Sequence, residues 1–292
     1  MTNAATPVSD LLELTKPRIT LMVVITTAAG YWLAAPQVAA LPFAATLLGT
    51  ALIAAGASCL NQVIEIRTDA LMERTRKRPM AAGRTTRRTG AILGVLLSLA
   101  GTLVLAVATN WLTAGLGLLT LLLYTLVYTP MKRVSSLCTV VGAVPGAIPP
   151  MMGWTAVTGD ISVEAWVLFG ILFFWQMPHF LAIAWMYRDD YERGLQPMLP
   201  VADNDGSATA RQILLYSLGL LPVSLLPAIL GMAGGAYFSG ALVLGLIFLI
   251  SAIHTARVRS LEAARLLLRV SVIYLPLLLL LLAATKGPMA PT

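Results

Sequence analysis

The sequence predicts an all-α integral membrane protein of about nine transmembrane helices, and three observations predict it. Hydrophobic residues make up 58% of the 292-residue chain and charged residues only 11%, with a mean hydropathy of +0.82. Apolar runs recur near 19–35, 41–63, 90–108, 111–128, 137–157, 164–186, 211–231, 236–255 and 268–285. Each is close to the roughly 20 residues a helix needs to cross a hydrocarbon core ~30 Å thick. The third observation is where the basic residues fall: they crowd alternate loops, as topogenic signals do.

Taken in order, residues 1–18 carry Asp10 and Glu13 ahead of any apolar run, unlike the basic start of a secretory leader. The run at 19–35 is therefore read as an uncleaved first span. Gln37 is the only polar side chain between the first two spans, whereas the next loop holds Arg74, Arg76, Lys77, Arg78, Arg84, Arg87 and Arg88. Lys132-Arg133, Arg188/Arg193/Arg211 and Arg257/Arg259/Arg265/Arg269 mark later loops on that same side. The opposite loops hold Asp160 and Glu164, and no Lys or Arg before Lys286. Positive-inside topology then puts the N-terminus in the cytoplasm and the C-terminus outside, in a plasma (inner) membrane. The net charge of +7 is spent on topology, so no nucleic-acid partner follows from it. One polytopic domain over 1–292 is expected, bathed by membrane lipid. Cys59 and Cys138 fall in or beside spans and are read as small buried hydrophobes.

Prolines interrupt several spans, at Pro145, Pro149-Pro150, Pro178, Pro222, Pro227 and Pro276. Broken helices inside a membrane often line a cavity, because freed backbone groups need protein or water.

The chemistry concentrates in NQVIEIRTDALMERTRKRP, Asn61 to Pro79. Asn61, Glu65 and Asp69 stand four residues apart and so form one helical stripe roughly 12 Å long. An amide and two carboxylates offer oxygen donors to a hard cation, and Mg²⁺ suits them because it prefers few protein ligands and a shared phosphate. The arginines that follow suit phosphate oxygens. Asp69 is expected to face the surface and to contribute little packing. Tyr124 and Tyr128 share a helical face that ends in Lys132-Arg133. His179 follows Pro178 in Trp175-Gln176-Met177-Pro178-His179-Phe180, where a broken helix would let its side chain reach a cavity. A second charged run is Tyr187-Arg188-Asp189-Asp190-Tyr191-Glu192-Arg193-Gly194. His254 is read as structural.

N-x3-E-x3-D-x4-R-T-x2-R-P resembles the first aspartate-rich motif of the intramembrane prenyltransferases of the UbiA superfamily. Met72, Arg74-Thr75 and Arg78-Pro79 are most similar to the protoheme IX farnesyltransferase branch. So are the Tyr-Thr-Pro-Met-Lys-Arg segment at 128–133, the run Val141 to Pro150 with Gly153-Trp154, and W-x-x-P-H-F at 175–180. The second motif is often D-x3-D in the superfamily. Here Tyr187 and Tyr191 stand at its ends, which weakens a symmetrical two-metal site and fits the D-Y-x-R pattern of the branch.

The resemblance implies a UbiA-type bundle around a central cavity and farnesyl transfer from farnesyl diphosphate to a vinyl group of protohaem IX (haem B), giving haem O. It implies Mg²⁺ on Asn61, Glu65 and Asp69, with Asp189 or, preferably, Asp190 for a second ion or a cation. Arg74, Arg78, Lys132, Arg133 and Arg188 would hold the diphosphate. Tyr128, Trp154 and Tyr191 are candidate walls for an allylic cation, and His179, Trp154 and Trp175 for the haem site. Iron ligation and propionate contact are both open to the imidazole. A haem-handling membrane partner would fit such a product. Two alternatives remain: transfer to a phenolic quinone precursor, against which His179 and its flanks stand, and an ion-coupled transporter. Acids gathered at one membrane face instead of mid-depth oppose the transporter.

Overall fold

A computed structural model describes residues 7–287, so the ends of the expected 1–292 domain lie outside the described residues. The described chain is helical almost throughout. A short α1 (Val8–Leu14) leads into α2 (Pro17–Ala34), α3 (Ala40–Leu71), α4 (Arg87–Ala108) and α5 (Trp111–Leu122). A π-helical turn, Leu123–Tyr128, joins α5 to the brief α6 (Thr129–Met131). Then come α7 (Cys138–Thr158), α8 (Val163–Met186), the short α9 (Arg188–Arg193) and α10 (Leu199–Ala202), and three long helices, α11 (Ser207–Ile229), α12 (Gly235–Val258) and α13 (Leu261–Ala284).

Eight helices are long and apolar enough to cross a bilayer, taking α5, the π turn and α6 as one. The remaining expected span, 19–35, forms α2, an 18-residue helix that opens on Pro17-Arg18 and carries three threonines. It is held by packing against α3, α7 and α13. The protein is an integral membrane protein.

Small residues let α3 and α4 pack closely. Gly94, Ser98 and Gly101 of α4 are buried toward α3. A Cβ on Gly94 would come 3.1 Å from the Gly56 carbonyl oxygen, and one on Gly101 2.6 Å from that of Gly49. Leu96, Leu99, Leu103 and Val107 stay exposed along the other side of α4, as a lipid-facing stripe does.

None of the prolines breaks its helix. α7 runs through Pro145, Pro149 and Pro150, and α8 through Pro178. The expectation that His179 sits at a helix break is therefore corrected. Side chains carry polar groups across instead: Gln176 Nε2 donates to Ala143 O at 2.7 Å, and Trp175 Nε1 to Ser271 O at 2.8 Å. These bonds tie α8 to α7 and α13 beside the prolines.

α3 reaches well past its apolar part. Its 32 residues span about 48 Å against a core of ~30 Å, so its last three or four turns project. The acidic stripe lies there. The loop after α3 meets α9 at the same end, where Asp190 accepts from the Glu73 and Arg74 backbone N–H groups. Lys286 lies at the α2 C-terminus, donating to the Trp32 and Ala35 carbonyls. The two charged loops thus share one face, and we propose that it is the cytoplasmic one. Cys59 and Cys138 are free and buried, leaving a quiet background for thiol labelling. Arg76→Cys and Glu192→Cys should react with an impermeant maleimide in inside-out vesicles and not in intact cells. Labelling of either from outside would invert the topology.

Candidate active site

The stripe is buried and already engaged by cations. Asn61, Glu65 and Asp69 all face inward from α3. Asn61 Nδ2 donates to Glu65 Oε2 at 2.9 Å and to Thr129 Oγ1 at 3.1 Å. Lys132 Nζ stands 3.0 Å from Glu65 Oε1 and donates to Oε2 at 3.3 Å. Arg78 Nη1 bridges both Asp69 oxygens at 2.8 Å. Asp69 is 1% exposed, so the expectation of a surface carboxylate is corrected: the Arg78 loop folds back over it.

Sequence reasoning missed one member. Lys16 Nζ donates to Asn61 Oδ1 at 2.8 Å. The residue is held at φ 46°, a left-handed conformation costly for a side chain with a Cβ, immediately before Pro17. Burial, and after it the Arg78 and Lys132 charges, lower its ammonium to about 7, with Glu65 and Asp69 pulling the other way. In the sequence Lys16 stands in Leu14-Thr15-Lys16-Pro17-Arg18, where the family resemblance begins, with nothing to give it a role. Arg78 and Lys132 balance the two carboxylates, and the proton on Lys16 adds the positive charge that favours an anion.

The π turn explains how Lys132 gets there. Pro130 lacks the N–H that would bond Leu126 in an α-helix, and the widened turn precedes it. Tyr124 and Tyr128 then lie with ring centroids 5.3 Å apart and planes inclined by 39°, with Lys132 Nζ 4.6 Å from the Tyr128 ring centroid. A Cβ on Gly142 of α7 would strike that ring. Arg133 turns the other way. It donates to Ile64 O at 2.6 Å and lines a groove with Arg67 and Arg87 on the outer side of α3. The structure does not bring Arg133 to the stripe.

The second motif is split similarly. Asp190 is buried, accepting from Glu73 N at 2.8 Å, Arg74 N at 3.1 Å and the Arg193 guanidinium. Its burial is local, under its own loop. Burial pushes its pKa up, but the Arg193 hydrogen bond and the two backbone N–H groups outweigh it and hold the carboxyl below its ordinary range. Asp190 ties loop to loop. Asp189 is exposed and Arg188 partly so, and neither makes a side-chain hydrogen bond among the described residues. Tyr191 accepts from Arg74 Nη2 at 3.1 Å, and the guanidinium lies over both the Tyr187 and Tyr191 rings. Asp190→Asn should cost about 2 kcal/mol, since the hydrogen bonds that Glu73 N, Arg74 N and Arg193 donate to it lose a charged acceptor. The stabilisation is present above the ordinary aspartate range and fades as pH falls through the lowered folded value. The acid limb of a melting-temperature profile should therefore flatten in the variant; an unchanged profile would contradict this role.

His179 Nδ1 lies 2.8 Å from Ser271 Oγ, and its ring stacks on Trp175 with centroids 4.9 Å apart. Trp154 is elsewhere. It stands roughly 24 Å along α7 from the Cys138 end, whereas His179 stands roughly 10 Å along α8 from the Met186 end. Those two ends share a cluster of Cys138, Ala184 and Met198. Trp154 is core, 4% exposed, with an indole N–H that finds no partner. The expected grouping of Trp154 with His179 and Trp175 is thus not met.

Residues 23–284 match the UbiA prenyltransferase family. The chain belongs to this family. The protoheme IX farnesyltransferase of Solibacter usitatus is 48% identical over 279 residues, covering 92% of this chain and 96% of the relative. That of Koribacter versatilis is 43% identical, covering 92% and 90%. A solved digeranylgeranylglyceryl phosphate synthase superposes with a TM-score of 0.81 at 15% identity, covering 95% and 97%. A UbiA homolog from Archaeoglobus fulgidus bound to GPP and Mg²⁺ gives 0.67 at 14% identity, covering 94% and 100%. These two likenesses establish that the fold is UbiA-type. The donor set of this UbiA member fits a hard divalent ion in kind: three oxygen-bearing side chains on one stripe, with Glu65 Oε1 buried and held by the Lys132 ammonium at 3.0 Å.

Proposed function

We propose that the protein transfers a farnesyl group from farnesyl diphosphate to a vinyl group of protohaem IX, with water adding, to give haem O and diphosphate. The observation that carries this reading is the identity to protoheme IX farnesyltransferases along nearly the whole of both chains. The allylic C–O bond breaks with its electrons on the diphosphate. The farnesyl carbon then bonds the vinyl carbon, and water captures the resulting cation with loss of a proton.

The chain's own residues supply the electrostatics. Lys16, Arg78 and Lys132 are placed to receive diphosphate oxygens as negative charge builds on them. Asn61, Glu65 and Asp69 would hold Mg²⁺, which when bound supplies Lewis acidity to the leaving diphosphate. A relative's structure bound to GPP and Mg²⁺ supports that choice of ion. Tyr124 and Tyr128 face the same region and offer ring faces that stabilise a cation and exclude water. Arg74 sits at the rim, where it closes the loops through Tyr191. His179 and Trp175 supply the acceptor side, between α8 and α13.

The test is chemical. Purified protein in vesicles supplied with haem B, farnesyl diphosphate and Mg²⁺ should yield a haem heavier by one farnesyl and one hydroxyl group. A prenylated phenol when a phenolic acceptor is offered, with haem unchanged, would replace this reading.

A further inference from the structure

We propose that Ser271 on α13 is a positioning residue that fixes the His179 tautomer and leaves Nε2 as a lone pair for the haem. The inference deepens the acceptor-site reading of His179 and rests on it for its functional half.

The hydrogens decide the matter. A serine hydroxyl has one hydrogen to donate and two lone pairs to accept with. Ser271 Oγ donates that hydrogen to Leu268 O, 2.7 Å away on its own helix. The 2.8 Å contact to His179 must then run the other way, Nδ1–H donating to Oγ. A neutral imidazole with its hydrogen on Nδ1 carries the lone pair on Nε2. Ser271 is fully buried, so water does not compete for either bond. Its carbonyl also accepts from Trp175 Nε1 at 2.8 Å, and Trp175 stacks on the imidazole at a 24° interplanar angle. One residue of α13 thus sets both the ring's plane, through Trp175, and its tautomer.

Nε2 makes no hydrogen bond among the described residues, and His179 keeps partial accessibility. An unprotonated Nε2 can ligate iron or accept a hydrogen bond, but it cannot donate to a propionate. The geometry therefore points to the haem iron as its target. Histidines that bind metal commonly direct their other N–H to such a partner, and losing it typically weakens the metal bond 10- to 100-fold.

The chain has two histidines, so ¹⁵N-imidazole labelling with His254→Ala leaves a single ring to observe. Without haem, Nδ1 should resonate in the protonated range and Nε2 in the unprotonated range. In Ser271→Ala the pattern should move toward Nε2–H, and Ser271→Thr, which keeps the hydroxyl, should restore it. Haem added to the purified protein should give the absorption spectrum of a histidine-ligated iron, and Ser271→Ala should weaken haem binding about tenfold. Farnesyl diphosphate affinity should stay within twofold of wild type. An Nε2–H ring in the wild type overturns the proposal. So does Ser271→Ala protein that keeps both the wild-type tautomer and haem affinity, or that loses haem and farnesyl diphosphate binding in step with a fallen melting point. If the tautomer is as stated but His179→Ala leaves the haem spectrum and affinity unchanged, the acceptor-site reading fails and takes the functional half with it.

Discussion

Asp69→Asn protein is expected to lose turnover by about 10²- to 10³-fold, the range seen when one preorganised electrostatic group is removed from an active site. Asparagine keeps the shape and one oxygen but not the charge. Asp69 is the carboxylate that Arg78 grips through both oxygens, and it closes the stripe begun by Asn61 and Glu65. A neutral side chain there makes the stripe a weaker ligand for a divalent ion and lets Arg78 swing free. The substitution also costs stability, because Arg78 loses its partner while still three-quarters covered. A buried pair broken on one side costs ~3–5 kcal/mol, and partial solvent access to Arg78 lowers that to about 1–3 kcal/mol. Rate and stability are separable by measuring haem O formation against Mg²⁺ concentration well below the melting point. The variant should need more Mg²⁺ for half its maximal rate, which lost stability alone would not cause. A wild-type rate and Mg²⁺ dependence would remove Asp69 from the site.

Much of this arrangement was legible in the sequence because it depends on local spacing. Asn61, Glu65 and Asp69 share a face for reasons of helical period alone, and the structure extends α3 far enough to carry all three. Which end the charged loops share was legible from the alternation of basic residues. The pairing across the chain was not. Lys16 lies 45 residues from Asn61, and nothing in either neighbourhood marks the contact. Lys132 and Arg133 are adjacent and chemically alike, yet a π turn sends one to Glu65 and the other to the far side of α3. Adjacent helical positions point about 100° apart, so only one could reach the stripe, and the register was set by a turn that sequence period does not reveal. Prolines misled for a related reason. A proline removes one backbone bond, and the remaining ladder on either side carries α7 and α8 straight through. Ser271 sits in the mostly apolar last third of the chain, where composition alone offered no reason to single it out.

His179→Ala should separate the two substrates. The imidazole sits between α8 and α13, stacked on Trp175 and bonded to Ser271, whereas the cations proposed for the diphosphate cluster around Asn61, Glu65 and Asp69. Removing it should lower haem-dependent turnover by about a hundredfold, or about 2.7 kcal/mol of transition-state stabilisation. Farnesyl diphosphate affinity should change less than about threefold, since no charge is removed. Some stability must go as well, because one buried hydrogen bond of about 1 kcal/mol and the Trp175 stacking are lost. A packing residue would show only that loss, with both substrates affected alike and in proportion to the fallen melting point. An acceptor-site residue leaves diphosphate binding intact at temperatures where the variant is folded, while product formation stays low. Haem O formation, farnesyl diphosphate affinity and a melting curve on the same detergent-purified protein distinguish the two. Full turnover in the variant, or equal loss of both activities tracking the melting point, would take His179 out of the acceptor site and leave Trp175 and Ser271 as ordinary packing between two helices.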